Sequence, residues 1–180
     1  QDKIENSNEK NENLFSLKGF KVGLDLGGEL ELSANGMTVS SDKETGFSLA
    51  AEFYTGSDFE IGIEYLADTD LDLGGSVSHL SFYGLYSLFN DDQMNLKAKF
   101  GYSTMELDNG SSSGYYGVTI DSDGGLMYGL QLDLSNNIHI SYTIHNGEYS
   151  LDSYYYDYYD NDNSVNTTTK RFNISYLFNL

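Results

Sequence analysis

Three side chains, His79, His139 and His145, could move a proton near neutral pH or ligate a metal. None of them comes with a recognisable partner set. The chain has no Cys, which excludes a thiolate nucleophile, a thiolate metal site and a disulfide framework. It contains no Gly-x-Ser-x-Gly elbow, and spacing alone assembles no Ser-His-Asp set. Asp68, Asp70 and Asp72 repeat every second residue, as in a calcium loop. Leu73, however, stands where that loop needs Gly, and His79 where it needs a bidentate Glu. Asp121-Ser122-Asp123-Gly124-Gly125 is too short to be a strong calcium motif. The expectation is a protein that is not an enzyme, with no cofactor and with its histidines serving as interior hydrogen-bonding groups.

The charge balance narrows the classes further. There are 28 acidic residues against 9 basic ones, a formal net charge of −19, which excludes a nucleic-acid binder. Pro and Trp are absent, while 19 Gly, 16 Tyr and 10 Phe favour strands and tight turns. No apolar run approaches a membrane-spanning helix; the longest, around Phe82 to Phe89, is interrupted by Gly84 and Ser87. Residues 1–16 are polar and aperiodic, which reads as a flexible tail, with one domain over 17–180. No signal peptide is seen, and a chain that starts at Gln1 would fit a mature product after cleavage.

From Phe20 the pattern has period two. Phe20, Val22, Leu24, Leu26, Gly28, Leu30 and Leu32 share one face; Lys21, Asp25, Glu29 and Glu31 lie on the other. The same alternation recurs near 45–55, 58–73, 76–89, 94–104, within 116–134, near 138–145, and over the C-terminal segment that ends at Leu180. None of the apolar-face positions is Asp, Glu, Lys or Arg. Thr55-Gly56-Ser57, Asn90-Asp91-Asp92 and Ser135-Asn136-Asn137 read as three-residue hairpin loops, and Gly74-Gly75 as a two-residue one. With Leu73 paired to Ser76, Ala67 would face Phe82, Ile63 would face Tyr86 and Asp70 would face His79. Longer polar links fall near 34–44, 105–117 and 146–168.

Eight such strands should close into a barrel, because closure removes unpaired edges. In a soluble ligand-binding barrel the apolar face would point inward; in an outer-membrane barrel it would meet lipid. Three features favour lipid. The apolar face carries no charge, the polar face is rich in Gly and Ser as a narrow interior requires, and aromatics sit near strand ends. Phe20, Phe53, Phe59 and Phe178 would form one girdle, and Phe47, Tyr65, Phe82, Tyr102 and Phe172 the other. Asp25, Glu52, Glu60, Glu64 and Asp133 would then be enclosed with Lys21, Lys97 and Lys99 around the lower and middle barrel, with Arg171 higher. They would have to pair or recruit water. Eight strands leave no wide lumen. His79 and His145 would lie toward the long-loop end and His139 near the opposite one.

At this point the chain resembles the small eight-stranded outer-membrane barrels of the OmpA and OmpX type. The match spans residues 17–180, and its most specific element is the alternation Phe172, Ile174, Tyr176, Phe178, Leu180 counted back from the end. It looks like the signal such barrels present to the assembly machinery, although the family usually ends in Phe or Trp. The resemblance implies an all-β, antiparallel, up-and-down transmembrane barrel in the bacterial outer membrane, with periplasmic termini and turns and longer extracellular loops. Some barrels of this size modify lipopolysaccharide, so a His-dependent lipid-modifying enzyme and a small ion channel stay open as alternatives. The segment 148–163 is the most unusual. Tyr149, Tyr154, Tyr155, Tyr156, Tyr158 and Tyr159 are set among acids, and no Lys or Arg occurs between Lys99 and Lys170. Tyr gives large contact area at low entropy cost. A recognition loop for an extracellular protein or host surface would fit, as would divalent cations that bridge it to lipopolysaccharide.

Overall fold

A computed structural model describes residues 15–180, apart from 73, 109–118, 123, 135–136 and 153–163; for 119–122 and 149–152 it describes the backbone only. The strands are β1 (Ser16–Ala34), β2 (Met37–Lys43), β3 (Gly46–Tyr54), β4 (Phe59–Asp70), β5 (Ser76–Asn90), β6 (Met94–Asp108), β7 (Thr119–Ser122), β8 (Gly125–Leu134), β9 (Ile138–Asp152) and β10 (Ser164–Asn179). The sheet order is β1-β3-β4-β5-β6-β8-β9-β10, and β10 pairs back to β1, so the ring closes with eight antiparallel walls. β2 continues the wall of β3, and β7 continues that of β8 along β9.

The polar face is inside. Asp25, Glu52 and Arg171 are at most 1% exposed, whereas Phe47, Leu49, Phe82 and Phe178 are 53–64% exposed. Both expected aromatic girdles point outward, with Phe53 and Phe59 half-buried. A closed sheet whose outer surface is apolar and whose centre is ionic inverts the soluble arrangement, and the soluble ligand-binding barrel falls with it.

Four expectations need correction. The link near 34–44 is mostly strand. Asn35 (φ 50°) and Gly36 (φ 79°) make a tight two-residue turn, so β1 runs directly back into β2. Strand also fills 105–108, 146–152 and 164–168 of the other two expected links.

The Gly74-Gly75 hairpin is wider than two residues. Leu71 N donates to Gly75 O at 3.0 Å and Gly74 N to Leu71 O at 2.8 Å. The register therefore moves: Ile63 lies opposite Phe82, Leu66 opposite His79 and Asp70 opposite Ser76. Leu66 and Thr69 flank a bulge, which turns Thr69 inward and Asp68 and Asp70 outward.

A second bulge, between Asp25 and Gly28, reverses the expected alternation in β1. Leu30 is buried inside at 1% exposure, and Glu29 and Glu31 turn outward. Gly28 (φ 149°) allows it: a Cβ there would collide with the carbonyl of Lys170. Finally, Arg171 is not set apart from the other interior charges but bonded into them.

The three tight turns of the opposite end link β3–β4, β5–β6 and β8–β9. In one, the Asp91 carboxylate accepts from Gln93 N (2.8 Å) and Met94 N (2.9 Å). In another, Thr55 Oγ1 donates to the Phe59 carbonyl. The expected polar tail lies outside the described residues up to 14, and the first strand begins at Ser16.

Candidate functional site: the interior ion-pair network and histidine layer

Alternation places one inward side chain every second residue, so each wall contributes a ladder of groups to the same axis. All nine charges expected inside meet there. Lys21 Nζ lies 2.6 Å from Glu52, Lys97 Nζ 3.0 Å from Glu60 and 2.6 Å from Asp133, and Lys99 Nζ 2.6 Å from Glu64. Arg171 spans two carboxylates, Nε to Asp25 at 2.6 Å and Nη2 to Glu64 at 3.2 Å. It thereby ties β1 to β4 through β10.

Two further cations, Lys18 and Lys43, join the network without having been expected inside. Lys18 reaches Glu60 at 2.8 Å and Glu52 at 3.3 Å. It points inward because of a register shift between Leu17 and Gly19, which leaves no mark in the hydrophobic pattern. Lys43, 3.6 Å from Asp25, sits on β2. It lies opposite Gly28, so unbroken parity through the Asn35-Gly36 turn would put it on the outer face, and the bulge between Asp25 and Gly28 is what turns it in.

Among the described residues, six of the nine basic residues are thus spent inside, against five carboxylates, and the other described acids lie outside the barrel interior. The described outward cation is Lys170, 2.9 Å from Glu29 and 2.6 Å from Glu31. Its hydrogen bond to Glu31, then that to Glu29, holds its pKa above the ordinary lysine value, and the same contact holds the Glu29 carboxyl below its own.

Neutral groups complete the network. Tyr83 Oη donates to Glu52 at 3.1 Å, and Lys99 Nζ stands 4.0 Å from the centre of the Tyr83 ring. The ring lies where a Cβ on Gly62 would be, so Gly62 is a close-approach glycine. Gln131 accepts from Lys21 (3.1 Å) and donates to Asp133 (2.7 Å). His139 Nδ1 lies 2.6 Å from Asp133, which makes that nitrogen the donor.

His79 and His145 occupy a different setting. They lie toward the long-connection end, as expected, with ring centroids 4.9 Å apart and exposures of 1% and 0%. Thr143 Oγ1 is 3.1 Å from His145 Nε2, but His145 Nδ1 and both ring nitrogens of His79 have no hydrogen-bond partner. Around them are Met105, Met127, Thr167 and Thr169, all inward. The sequence placed these histidines on the polar face but gave no sign that they face each other.

The tyrosine segment is a further expectation to place. Tyr154, Tyr155, Tyr156, Tyr158 and Tyr159 lie outside the described residues. Tyr149 belongs to β9, where its backbone pairs with Val165 and Ser122. In the C-terminal alternation, Phe172, Ile174, Tyr176, Phe178 and Leu180 all point outward.

Neither a family model nor a curated protein matches the chain. Solved structures do. Neisserial surface protein A is 11% identical with a TM-score of 0.53, over 91% of this chain and 99% of that one. The Yersinia pestis attachment invasion locus protein Ail, solved with the heparin analogue sucrose octasulfate, is 14% identical with a TM-score of 0.48, over 89% and 99%. The outer membrane protein OprG from Pseudomonas aeruginosa is 12% identical with a TM-score of 0.46, over 91% and 98%. At these identities the common property is the fold: the closed, antiparallel, up-and-down sheet of the small outer-membrane barrels.

Proposed function

We propose that the chain is a non-enzymatic barrel of the bacterial outer membrane, with its short turns and termini toward the periplasm and its long connections outside the cell. One observation carries the reading. Every wall of the ring presents apolar side chains outward, while each inward carboxylate is paired to a cation within the barrel. Such a surface is stable only against hydrocarbon. The likeness in fold to a Neisserial surface protein supports the same location.

The ion-paired axis supports a plug and an anchor rather than a pore, because an ion would have to replace short, buried charge pairs to pass. The function then belongs to what the anchor holds out, and the Tyr- and Asp-rich segment 149–159 is our candidate for recognition of an extracellular protein or host surface. The Phe172–Leu180 alternation is our candidate for the signal read by the assembly machinery. Acidic connections would take divalent cations as bridges to lipopolysaccharide.

The test is a deletion of residues 153–163 in cells. Loss of binding to host cells or matrix, with unchanged membrane insertion and unchanged heat-modifiable gel mobility, is expected. Binding that survives the deletion sinks the recognition role. Steady channel conductance in planar bilayers would replace the plug with a pore. A change in lipid A acylation on loss of the gene would replace the anchor with an enzyme.

A further inference from the structure

The upper interior holds groups that the ion-pair network does not use. His79 on β5 lies directly opposite Met105 on β6, and His145 on β9 lies directly opposite both Met127 on β8 and Thr169 on β10. Directly opposed residues on one face have Cβ atoms about 4.5–5.5 Å apart. Met105 also crosses the barrel. Thr169 Oγ1 donates to its Sδ at 3.2 Å, and a Cβ on Gly147 would come within 2.7 Å of its Cε. The thioether of Met105 therefore reaches the wall that carries His145 while its own backbone faces His79. Two imidazoles with ring centroids 4.9 Å apart and one thioether converge in a buried space.

Three of the four imidazole nitrogens are orphans, which is costly for buried polar atoms. The fourth, His145 Nε2, is engaged by Thr143 at 3.1 Å; as its proton donor it leaves the Nδ1 lone pair of the same ring available. No carboxylate is hydrogen-bonded to either ring among the described residues. The charged groups that face the pair are Arg171, Lys43, Lys99 and Glu64.

We propose that His79, His145 and Met105 bind one soft monovalent cation, Cu(I) or Ag(I), inside the barrel. The donor set selects it: thioether sulfur with imidazole nitrogen suits Cu(I), whereas Zn²⁺ takes imidazole, thiolate or carboxylate rather than thioether, and Ca²⁺ and Mg²⁺ take oxygen. The charge selects it too. With Arg171, Lys43 and Lys99 facing the pair, a single positive charge costs least. Met127, opposite His145, offers a second thioether.

The experiment uses the full chain refolded in detergent micelles, with heat-modifiable mobility as the measure of folding. Ag(I) is titrated by calorimetry, and Cu(I) is competed against bicinchoninate. One equivalent is expected, bound at least ten times more weakly by each of His79→Gln, His145→Gln and Met105→Leu, all of which keep the gel shift. Met37→Leu and Met94→Leu, at exposed thioethers, should bind as the parent does. X-ray absorption of the Cu(I) form should show nitrogen and sulfur neighbours together. Absence of stoichiometric binding by the folded parent overturns the site, as does binding that survives the three interior substitutions.

Discussion

The two halves of the barrel interior are built on the same strands and solve opposite problems. Near the short turns, β1, β3, β4, β6 and β8 contribute full charges, and each carboxylate found there has a cation within 3.0 Å. Toward the long connections, above Lys43 and Arg171, the inward groups are mostly neutral (Leu30, Leu66, Val77, Met105, His79, His145) and several polar atoms lack partners. Bulges on β1 and β4 separate the two regimes, since each swaps which residues face in. Charge is tolerated where every carboxylate meets a cation; beyond the bulges, the walls supply mostly apolar and soft groups instead. The lesson is that satisfaction, more than polarity, decides what a narrow interior can hold.

The largest expected effect breaks the charged half. Arg171→Met leaves Asp25 with Lys43 at 3.6 Å and Glu64 with Lys99 alone, and should cost about 3–5 kcal/mol in urea unfolding from lipid vesicles. A cost below about 1 kcal/mol would mean that Lys43, Lys99 and water, not the guanidinium, satisfy those carboxylates. Next, Gly62→Ala drives a methyl into the Tyr83 ring and should cost about 1–3 kcal/mol, with loss of the Tyr83–Glu52 bond. Gly56→Ala, in an open turn with φ 73°, serves as the strain-only control.

The neutral half should answer a similar edit with the opposite sign. His79→Leu removes two orphaned nitrogens, so the unfolding midpoint should hold or rise, by up to about 1 kcal/mol. A loss comparable with that of Arg171→Met would erase the distinction between the halves. The smallest effect belongs to the rim. Lys170→Met should leave the unfolding midpoint unmoved, yet let Glu29 titrate closer to its ordinary value by NMR. Because the contact depresses the Glu29 pKa, its stabilisation is present above the ordinary carboxylate range and fades as pH falls through the depressed value.

Much of this was written in the pattern. The faces of Leu24, Glu64, Lys99 and Ile174 follow from parity alone, because a strand cannot hide a one-residue error. Parity is also why the prediction failed at Leu30 and Thr69: one bulge residue reverses everything after it, and while Gly27-Gly28 marks the first bulge, no glycine marks the second, between Leu66 and Thr69. The Gly74-Gly75 turn misled for a related reason. A glycine pair allows several loop lengths, and bonds to Leu71, not the glycines, choose among them. The approach of His79 to His145 could not be read at all. They lie on non-adjacent walls, and facing across a barrel depends on its shear, which no local spacing encodes.

The seam of β1 with β10 joins residues from the two ends of the chain, Phe20 against Phe178 and Leu24 against Ile174. A ring sealed by its first and last strands has no intermediate enclosure: until β10 has been synthesised and docked, β1 and β9 both offer bare backbone to any passing segment. The polypeptide must therefore be kept from aggregating through its whole delivery, and losing its last dozen residues would leave an open sheet rather than a shorter cylinder.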